Sequence, residues 1–362
     1  MSRKHFSWLL LATIVVAVLV LVFPGRTGRE SSIDQGVLIP GLAEQVNDIR
    51  WLRLTGAGDE VIATLMREDN AWVVEEVSAY RADWGAVKTL LSSLSRAEII
   101  EEKTSKPGYY PRLGVEDVSA AEAAGVMVEF EAGSGLPALI IGNSAQGREG
   151  QYARLKDSAK SVLIGTRIDV PGDRIAWLDK AIVDIAEAEV VEYEITHPDG
   201  ESIKSVKASA DDENFDLQAL PEGREIKSNW AVNAPANSLA ALELQAVVPA
   251  SQMDWENATR FRILTADGLM LDLELLTVPG PGGEEASSGH WLRLEAGVYT
   301  TAVGSVADDE TNESATLARA EEINRRAGGW AYRVPGYRVE SMTRRMDDLL
   351  QPAGGDDEPS AL

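Results

Sequence analysis

The side chains that most often carry catalysis or hold metal ions are few in this sequence and lie far apart. It contains three histidines and no cysteine, which excludes disulfides and thiolate metal sites. His5 stands at the start of an apolar run, His197 lies in a Pro-Asp-Gly turn, and His290 follows Ser-Ser-Gly. Metal centres and catalytic triads need partners that converge at defined spacings. No such partners accompany these residues, so we interpret His197 and His290 as solvated loop residues.

Four short motifs contain reactive residue types, but each lacks the context that the chemistry needs. Residues 142–147 have the wrong spacing for a nucleophile elbow and precede a strand pattern, so they predict a β-turn. Residues 280–283 lack the strand-to-helix setting of a dinucleotide loop and predict a flexible connection. The acidic runs 211–213 and 308–310 lack the ligand spacing of a calcium loop and predict solvated charges. With neither an H-E-x-x-H motif nor a phosphate-binding loop, the sequence predicts no catalytic, metal-binding or cofactor-binding residue.

Two tyrosines offer the best candidate for recognition. Most of the nine tryptophans lie in alternating apolar patterns, which are typical of core positions. Tyr109 and Tyr110 differ, because they lie in a proline-bounded loop between two groups of predicted strands, where binding residues often gather. With Arg112 they form our candidate interaction surface. Packing of this loop onto the core is the alternative.

An apolar run that ends at Pro24-Gly25 predicts a membrane-spanning helix. Its 18 residues at about 1.5 Å each reach roughly 27 Å, close to a hydrocarbon core of about 30 Å. Its aliphatic and phenylalanine side chains favour insertion by roughly 4 to 8 kcal/mol. A cleavable signal peptide would have a shorter apolar stretch and a small-residue cleavage site, so the run favours an uncleaved anchor. The residues assigned to the span include Phe6, Trp8, Leu11, Ile14, Val18, Leu21 and Phe23.

The bulk of the chain follows this single predicted span, and long domains cross a membrane largely regardless of their charge. Arg3 and Lys4 before the run are balanced by Arg26 and Arg29 after it, and the free amino group with His5 favours a cytoplasmic N-terminus. We therefore predict a single-pass inner-membrane protein with a periplasmic body.

Acidic residues dominate the composition, with 34 Lys and Arg against 58 Asp and Glu and a formal net charge of −24. Nucleic-acid binding needs basic residues clustered on one face. No such cluster is present, which excludes nucleic acid as a partner. The anionic leaflet repels an acidic body, so we predict that residues 26–41, rich in Gly, Ser and Pro, act as a spacer. Acidity that only maintains solubility is the simpler interpretation of the charge.

Alternating strand and helix patterns beyond the spacer predict an α+β fold with antiparallel sheets. The pattern occurs twice, which predicts two diverged copies of one sheet-plus-helix unit. A single larger α+β domain is the alternative. The predicted organisation is a cytoplasmic stub and anchor at 1–25, the spacer at 26–41, a first repeat at 42–180, a second repeat with a C-terminal helix at 181–350, and a disordered tail at 351–362.

Matches between the two halves support the repeat. Trp230 in Asn-Trp-Ala-Val matches Trp72 in Ala-Trp-Val-Val, and residues 291–294 match residues 152–155. A helical pattern through Leu239, Leu242 and Leu244 matches the end of a helix in the first half. That first helix is predicted to follow Asp83 and to bury Val87, Leu90, Leu91 and Leu94.

The C-terminal segment predicts an amphipathic helix, preceded by a helix at about 314–326 and a strand at 330–334. Its apolar face consists of Val339, Met342, Met346, Leu349 and Leu350.

Three stretches resemble a bacterial family catalogued only as domain of unknown function 4340. They are YYPRLGVEDV at 109–118, LIIGN with the following QYARLKDSAKSVLIG within 139–165, and WAYRVPGYRVESMTRRMDDLL at 330–350. The resemblance covers most of the chain after the apolar run. It implies a membrane-anchored, internally repeated protein, often encoded beside ABC-type transporters of the gliding-motility kind and their auxiliary membrane proteins. The family has no established catalytic residue, so none is carried over.

Together these observations predict a non-enzymatic accessory protein of the bacterial inner membrane that binds envelope or ABC-transporter proteins. The alternative is a glycan- or lipid-binding module that uses a cleft between the two repeats. An unrecognised hydrolase has the least support, because no general base with an orienting partner is present. The sequence indicates neither an oligomeric state nor a transported substrate.

Overall fold

The computed structural model describes residues 36–279, 289–299 and 310–352. The predicted anchor, the predicted spacer up to residue 35, the connection at 280–283 and residues 353–362 of the predicted tail lie outside the described residues. Within the three described ranges, none of the helices has the length and apolar character needed to cross a membrane.

Helices and antiparallel sheets confirm the predicted α+β class. The helices are α1 (Leu42–Gln45), α2 (Trp84–Ser95), α3 (Tyr110–Leu113), α4 (Asn229–Asn237), α5 (Glu310–Ala327), α6 (Gly336–Met342) and α7 (Met346–Leu349). The first strands are β1 (Trp51–Thr55), β2 (Val61–Glu68), β3 (Ala71–Val74), β4 (Tyr80–Arg81), β5 (Ile99–Glu102), β6 (Val126–Phe130), β7 (Leu139–Ser144), β8 (Gln151–Leu155) and β9 (Ser161–Ile164). The later strands are β10 (Ala181–Val183), β11 (Val190–Thr196), β12 (Ser202–Val206), β13 (Asp216–Leu217), β14 (Leu242–Glu243), β15 (Ala246–Pro249), β16 (Thr259–Thr265), β17 (Leu269–Val278), β18 (Gly289–Val298) and β19 (Trp330–Arg333).

The two large sheets share one order of strands. The first is β4-β3-β2-β1-β6-β7-β8-β9-β5, and the second is β13-β12-β11-β16-β17-β18-β19-β15. Apart from β4, each strand of the first sheet has a counterpart ten strands later at the same place in the second. The small sheet of β10 and β14 likewise corresponds to a bridge between Val37 and Glu98. In both halves a helix, α2 or α4, precedes the last edge strand of the sheet.

The hydrogen-bond register identifies equivalent residues in the two sheets. Directly opposed residues of neighbouring strands project from the same face of a sheet, so a row of them marks one face. The first row consists of Thr55, Met127, Ile140 and Arg154. The second row consists of Thr196, Arg260, Glu274 and Arg293. This register agrees with the predicted match of residues 152–155 to residues 291–294.

The chain forms two compact units whose boundary falls within β2. The first unit contains the residues up to Thr64 and Gly85–Gly172, and the second contains Leu65–Trp84 and the residues from Asp173 onwards. The β3–β4 hairpin is therefore part of the second unit.

Tyr80 and Arg81 attach this hairpin within the second unit. The Tyr80 ring lies edge-on to Trp330, with 5.0 Å between the ring centroids, and burial raises its pKa. Arg81 Nε lies 3.2 Å from a carboxylate oxygen of Asp179, which also accepts Arg326 at 3.1 Å. Aromatic packing and a shared carboxylate therefore fasten strand residues that are distant in sequence from their partners.

Helix α2 has its predicted position and buried face. The buried side chains are Val87, Leu90, Leu91 and Leu94. The helix predicted at about residues 314–326 is also present, as α5.

The helix predicted through Leu239, Leu242 and Leu244 is wrong. The helix of this segment, α4, begins earlier, because the Ser228 hydroxyl accepts the Ala231 N–H at 3.2 Å as an N-cap. Leu242 lies instead in β14, which pairs with β10. Leucines at helical spacing were compatible with a helix, but the N-cap determines where it starts.

The predicted match of Trp230 with Trp72 is wrong for the same reason. Trp72 is 6% exposed in β3, whereas Trp230 is 73% exposed in the first turn of α4. Helices α4 and α2 precede the equivalent edge strands β15 and β5, and the first-turn tryptophan of α2 is Trp84, which is 57% exposed.

The predicted C-terminal helix is broken into α6 and α7. The Thr343 hydroxyl bonds to the Val339 carbonyl oxygen at 2.8 Å, and the backbone of Thr343 leaves helical geometry. The Met346 N–H donates to Glu201 Oε1 at 2.8 Å. These two hydrogen bonds replace those that an unbroken helix would make at residues 343–346. Of the predicted apolar face, Val339, Met342, Leu349 and Leu350 are buried, and Met346 is half-buried.

The end of the predicted spacer belongs to the fold. Val37 pairs with Glu98, and Leu38 and Ile39 are 3% and 1% exposed. The spacer prediction is therefore wrong for these apolar residues. The neighbouring glycines suggested a flexible segment, but the apolar side chains are buried in the fold.

Candidate binding surfaces

The predicted interaction surface divides into an exposed pair and a buried anchor. Tyr109 is 48% exposed, and the Arg112 guanidinium lies 5.6 Å from its ring centroid. Tyr110 is only 7% exposed, and its hydroxyl donates to the Ala159 carbonyl oxygen. Tyr110 therefore packs the loop onto the sheet, as in the alternative interpretation, and only Tyr109 and Arg112 are accessible.

Arg154 holds the loop at residues 103–125, the long loop, on the first sheet. Its side chain is 5% exposed, and its guanidinium lies 4.9 Å from the Tyr110 ring centroid. Buried cations are stable only when such groups are paired and hydrogen-bonded. Its acceptors are the carbonyl oxygens of Val115, Lys156 and Ser158, at 2.7, 3.1 and 3.2 Å, and the carboxylate of Asp117. Arg154 is thus a scaffold residue.

The long loop also covers the apolar part of the first row. Val118 from the loop forms a buried cluster with Met127 and Ile140. The backbone approaches so closely that a Cβ at Gly125 would lie 2.2 Å from the Gly114 carbonyl oxygen. Only glycine fits at residue 125, and this face of the first sheet is closed.

The corresponding face of the second sheet is open and charged. The preceding connection at residues 250–258, the short loop, leaves a concavity of about 640 Å³ over the second row. Arg260 lies 3.7 Å from Glu274, which also pairs with Arg293. Arg262 lies 2.6 Å from Asp272. Glu295 also lines this concavity. We call the concavity lined by these six charged residues the charged trough.

A second concave site, the aromatic cleft, is lined by α4 and α6 in the second unit. Its volume is about 380 Å³, and Trp230 and Tyr337 form its apolar walls. The two rings are 73% and 63% exposed, the highest values among large apolar side chains in the described residues. Neither ring was predicted as a binding residue, although Ser228 indicates that Trp230 lies in the first turn of a helix.

Arg344 positions Trp230. Its guanidinium lies 5.4 Å from the Trp230 ring centroid and donates to the Ala231 carbonyl oxygen at 3.2 Å. That carbonyl lacks the usual helical N–H donor, because the residue four positions later is Pro235. One arginine therefore satisfies the helix and covers one face of the indole.

Arg338 positions Tyr337 in the same way. Its guanidinium lies 5.4 Å from the Tyr337 ring centroid and donates to the carbonyl oxygens of Asn237 and Ser238, each at 3.2 Å. These carbonyls lie at the C-terminal end of α4, where unpaired acceptors and the helix dipole favour a cation. The two walls of the aromatic cleft are therefore held by the same helix.

The prediction of solvated histidines is wrong for His197. It is 6% exposed, with Nε2 3.2 Å from the Arg344 carbonyl oxygen and Nδ1 3.4 Å from the Thr259 hydroxyl. His290 lies in β18 rather than a loop, with Nδ1 3.2 Å from the Thr277 hydroxyl. The sequence of the turn around His197 could not reveal that the distant segment containing Arg344 covers the His197 side chain.

Of the remaining motifs, residues 280–283 and residues 308–309 of the second acidic run lie outside the described residues. Gly142, Asn143 and Ser144 belong to β7, so the turn predicted there begins later. The acidic run at 211–213 is exposed, as predicted. In the part of the chain that the structure describes, no group of three or more His, Cys, Asp or Glu side chains could hold a metal ion.

These observations define an α+β protein with two sheets of one connectivity and two concave surfaces in its second unit. The chain belongs to the family described as Domain of unknown function (DUF4340), whose model matches residues 72–259. This confirms the resemblance seen in the sequence. The matched range includes α4 of the aromatic cleft and ends just before the arginines of the charged trough. No curated protein and no solved structure matches the chain.

Proposed function

We propose that this chain is a non-enzymatic accessory protein, anchored in the bacterial inner membrane by residues 6–23, whose periplasmic body binds a subunit of an ABC-transporter assembly. The apolar run supports the anchor. The shared strand order of the two sheets supports an origin as two diverged copies of one unit. The charged trough is the observation that carries the binding part of the proposal.

The chemistry of the charged trough suits a folded protein partner. Three arginines and three carboxylates lie close together on neighbouring strands. A mixed pattern of this kind selects a partner by charge complementarity, and arginine is enriched in protein interfaces. The Arg260 side chain is 77% exposed, and an exposed ion pair contributes only about 0–1 kcal/mol. A carboxylate of the partner protein can therefore replace Glu274 as the ion-pair partner of Arg260 at a small cost in free energy.

A photo-crosslinking amino acid at Arg260 of the full chain, in its native membrane, tests the proposal. We expect a crosslink to an ABC-transporter subunit, identified by mass spectrometry. Its yield will fall as ionic strength rises, because salt screens exposed charges. Leu317 on α5 is 50% exposed and serves as the matched control position, from which we expect no such product.

Two results would contradict the proposal. One is the same crosslinked products from Arg260 and Leu317, or none from either. The other is a C-terminal reporter that is active only in the cytosol, since the body would then be on the wrong side of the membrane.

A further inference from the structure

The aromatic cleft combines exposed rings with polar side chains, and we infer that it binds the end of a neutral saccharide. This activity is separate from the protein contact proposed for the charged trough. The cleft lies wholly within the second unit.

The two rings offer stacking surfaces. Trp230 and Tyr337 each carry a guanidinium over one face, at 5.4 Å in both cases, so the opposite face is the one left for a ligand. A pyranose ring has a face of C–H groups that packs on aromatic rings, as other apolar groups do. Arg344 and Arg338 are themselves bonded to α4, so the rings are held in place before a ligand arrives.

The polar groups of the cleft match hydroxyl groups. Trp230, Tyr337 and Asn237 line the cleft, and their side chains carry an indole N–H, a hydroxyl and an amide. Together they supply both donors and acceptors. A sugar hydroxyl also donates and accepts, so it can satisfy all three.

Charge and size restrict the ligand further. The cation that lines the cleft, Arg338, donates to two helix carbonyls, and the carboxylate of Glu187 accepts from Asn233 at 3.0 Å. These two are the charged residues that line the cleft, and their opposite charges sum to zero, so the lining favours a neutral ligand over an ion of either sign. A volume of about 380 Å³ lies at the lower end of the roughly 300–1,000 Å³ typical of ligand sites. The cleft therefore suits a short saccharide end rather than the middle of a long chain.

Two other ligands fit less well. A proline-rich peptide also docks between aromatic rings, but proline has no N–H to donate to the side-chain amide oxygen of Asn237. Insertion of the rings into a lipid surface is opposed by the net charge of −24, which anionic leaflets repel. Both ligands serve as comparisons in the test.

The test uses the full chain in neutral-lipid nanodiscs, because detergents with sugar headgroups would compete. We titrate N-acetylglucosamine oligomers and maltotriose and follow binding by calorimetry and tryptophan fluorescence. We expect one of the two series to bind, and Trp230→Ala and Tyr337→Ala each to weaken binding about tenfold or more. Trp84→Ala is the matched control, since Trp84 is also an exposed tryptophan in the first turn of the equivalent helix.

A second variant keeps both rings and fills the space between them. Ser341 lines the cleft, and we expect Ser341→Trp to abolish binding while the thermal unfolding temperature stays that of the parent. The inference is overturned if neither saccharide series binds, or if Trp84→Ala weakens binding as much as Trp230→Ala. It is also overturned if a polyproline peptide or phospholipid vesicles bind in a Trp230-dependent manner and the saccharides do not. The crosslink from Arg260 is unaffected by any of these results, so the two proposals fail independently.

Discussion

The two sheets carry the same row of positions in opposite environments. The first row has Met127 and Ile140 at its centre, and the second row has Arg260 and Glu274 at the same places. Both rows end in an arginine that stacks at 4.9 Å on an aromatic ring from the preceding loop, Tyr110 in one case and Trp255 in the other. The two rows share their strand register and the arginine that stacks on an aromatic ring. They differ in whether a loop covers the central residues.

The length of the connecting loop accounts for this difference. The long loop crosses the first row and removes it from water, so apolar side chains are favoured there. The short loop leaves the second row exposed, where charged side chains are favoured. Arg154 is consequently 5% exposed and Arg293 40% exposed. The face that is covered in the first unit is therefore accessible in the second.

Exchanging the central residues of the rows gives the largest expected effect. Ile140→Glu places an unpaired carboxylate where the side chain is 1% exposed, and we expect it to destabilise the first unit by about 3–5 kcal/mol. Hydrogen exchange of β7 peptides measures the loss.

The reverse exchange, Glu274→Ile, removes ion pairs in which the carboxylate is half-buried and the two arginines are 77% and 40% exposed, so we expect the unfolding free energy to change by about 1 kcal/mol or less. Comparable losses from the two substitutions would show that the second row is covered as well.

Truncating the two row-end arginines gives a smaller contrast. Arg154→Met leaves several buried carbonyl acceptors without a donor, and we expect a loss of about 2–4 kcal/mol in unfolding free energy. Arg293→Met at the equivalent position, with its exposed head, is expected to cost about 1 kcal/mol or less. Urea unfolding of the full-length variants compares them. Equal costs would contradict the assignment of Arg154 as scaffold and Arg293 as surface.

A single methyl group tests how tightly the long loop is seated. In Gly125→Ala the new Cβ would meet the Gly114 carbonyl oxygen, so the loop must shift, and we expect a loss of about 1–3 kcal/mol. Gly108→Ala in the same loop is the control, because its Cβ meets nothing within 4 Å. We expect it to stay within about 0.5 kcal/mol of the parent. Thermal unfolding with hydrogen exchange of the long loop measures both.

Local patterns predicted the strands and α2 well, because each depends on side chains a few residues apart. Val87 and Leu94, for example, mark one helical face. The sequence also indicated the repeat through residues 152–155 and 291–294, whose register the sheets share. The match of Trp72 with Trp230 failed because two similar tetrapeptides lie in different elements.

Neither candidate site could be predicted, because both depend on contacts between distant segments. The aromatic cleft brings α4 together with α6, and Arg344 reaches back to a carbonyl that Pro235 leaves unpaired. The charged trough is open because the short loop does not cover this face of the second sheet. Tyr110 follows the alternative of packing onto the core, which local sequence could not decide, because its partner Arg154 lies on a strand distant in sequence.

The pH dependence of the second unit gives the smallest expected effect. Burial alone would raise the pKa of Asp267, but the Thr265 hydroxyl, the Leu269 N–H and Arg319 together hold it below its ordinary value. A depressed pKa means that the folded state favours the charged carboxylate. This contribution is complete above the ordinary pKa of about 3.9 and is lost as pH falls through it and then through the lower folded value.

Thermal unfolding followed by circular dichroism between about pH 6 and pH 3 tests this, with Asp267→Asn as the variant. We expect the second unit to lose stability toward the acid end in the parent and to lose less in the variant. The first unit offers the comparison, because hydrogen bonds from Lys103 and Arg148 lower the pKa of Glu101. Its side chain is 44% exposed, so solvent screens those partners and Glu101→Gln will flatten the acid limb less than Asp267→Asn. If Glu101→Gln had the greater effect, exposed surface pairs would dominate the acid sensitivity, and the pair between Asp267 and Arg319 of α5 would not.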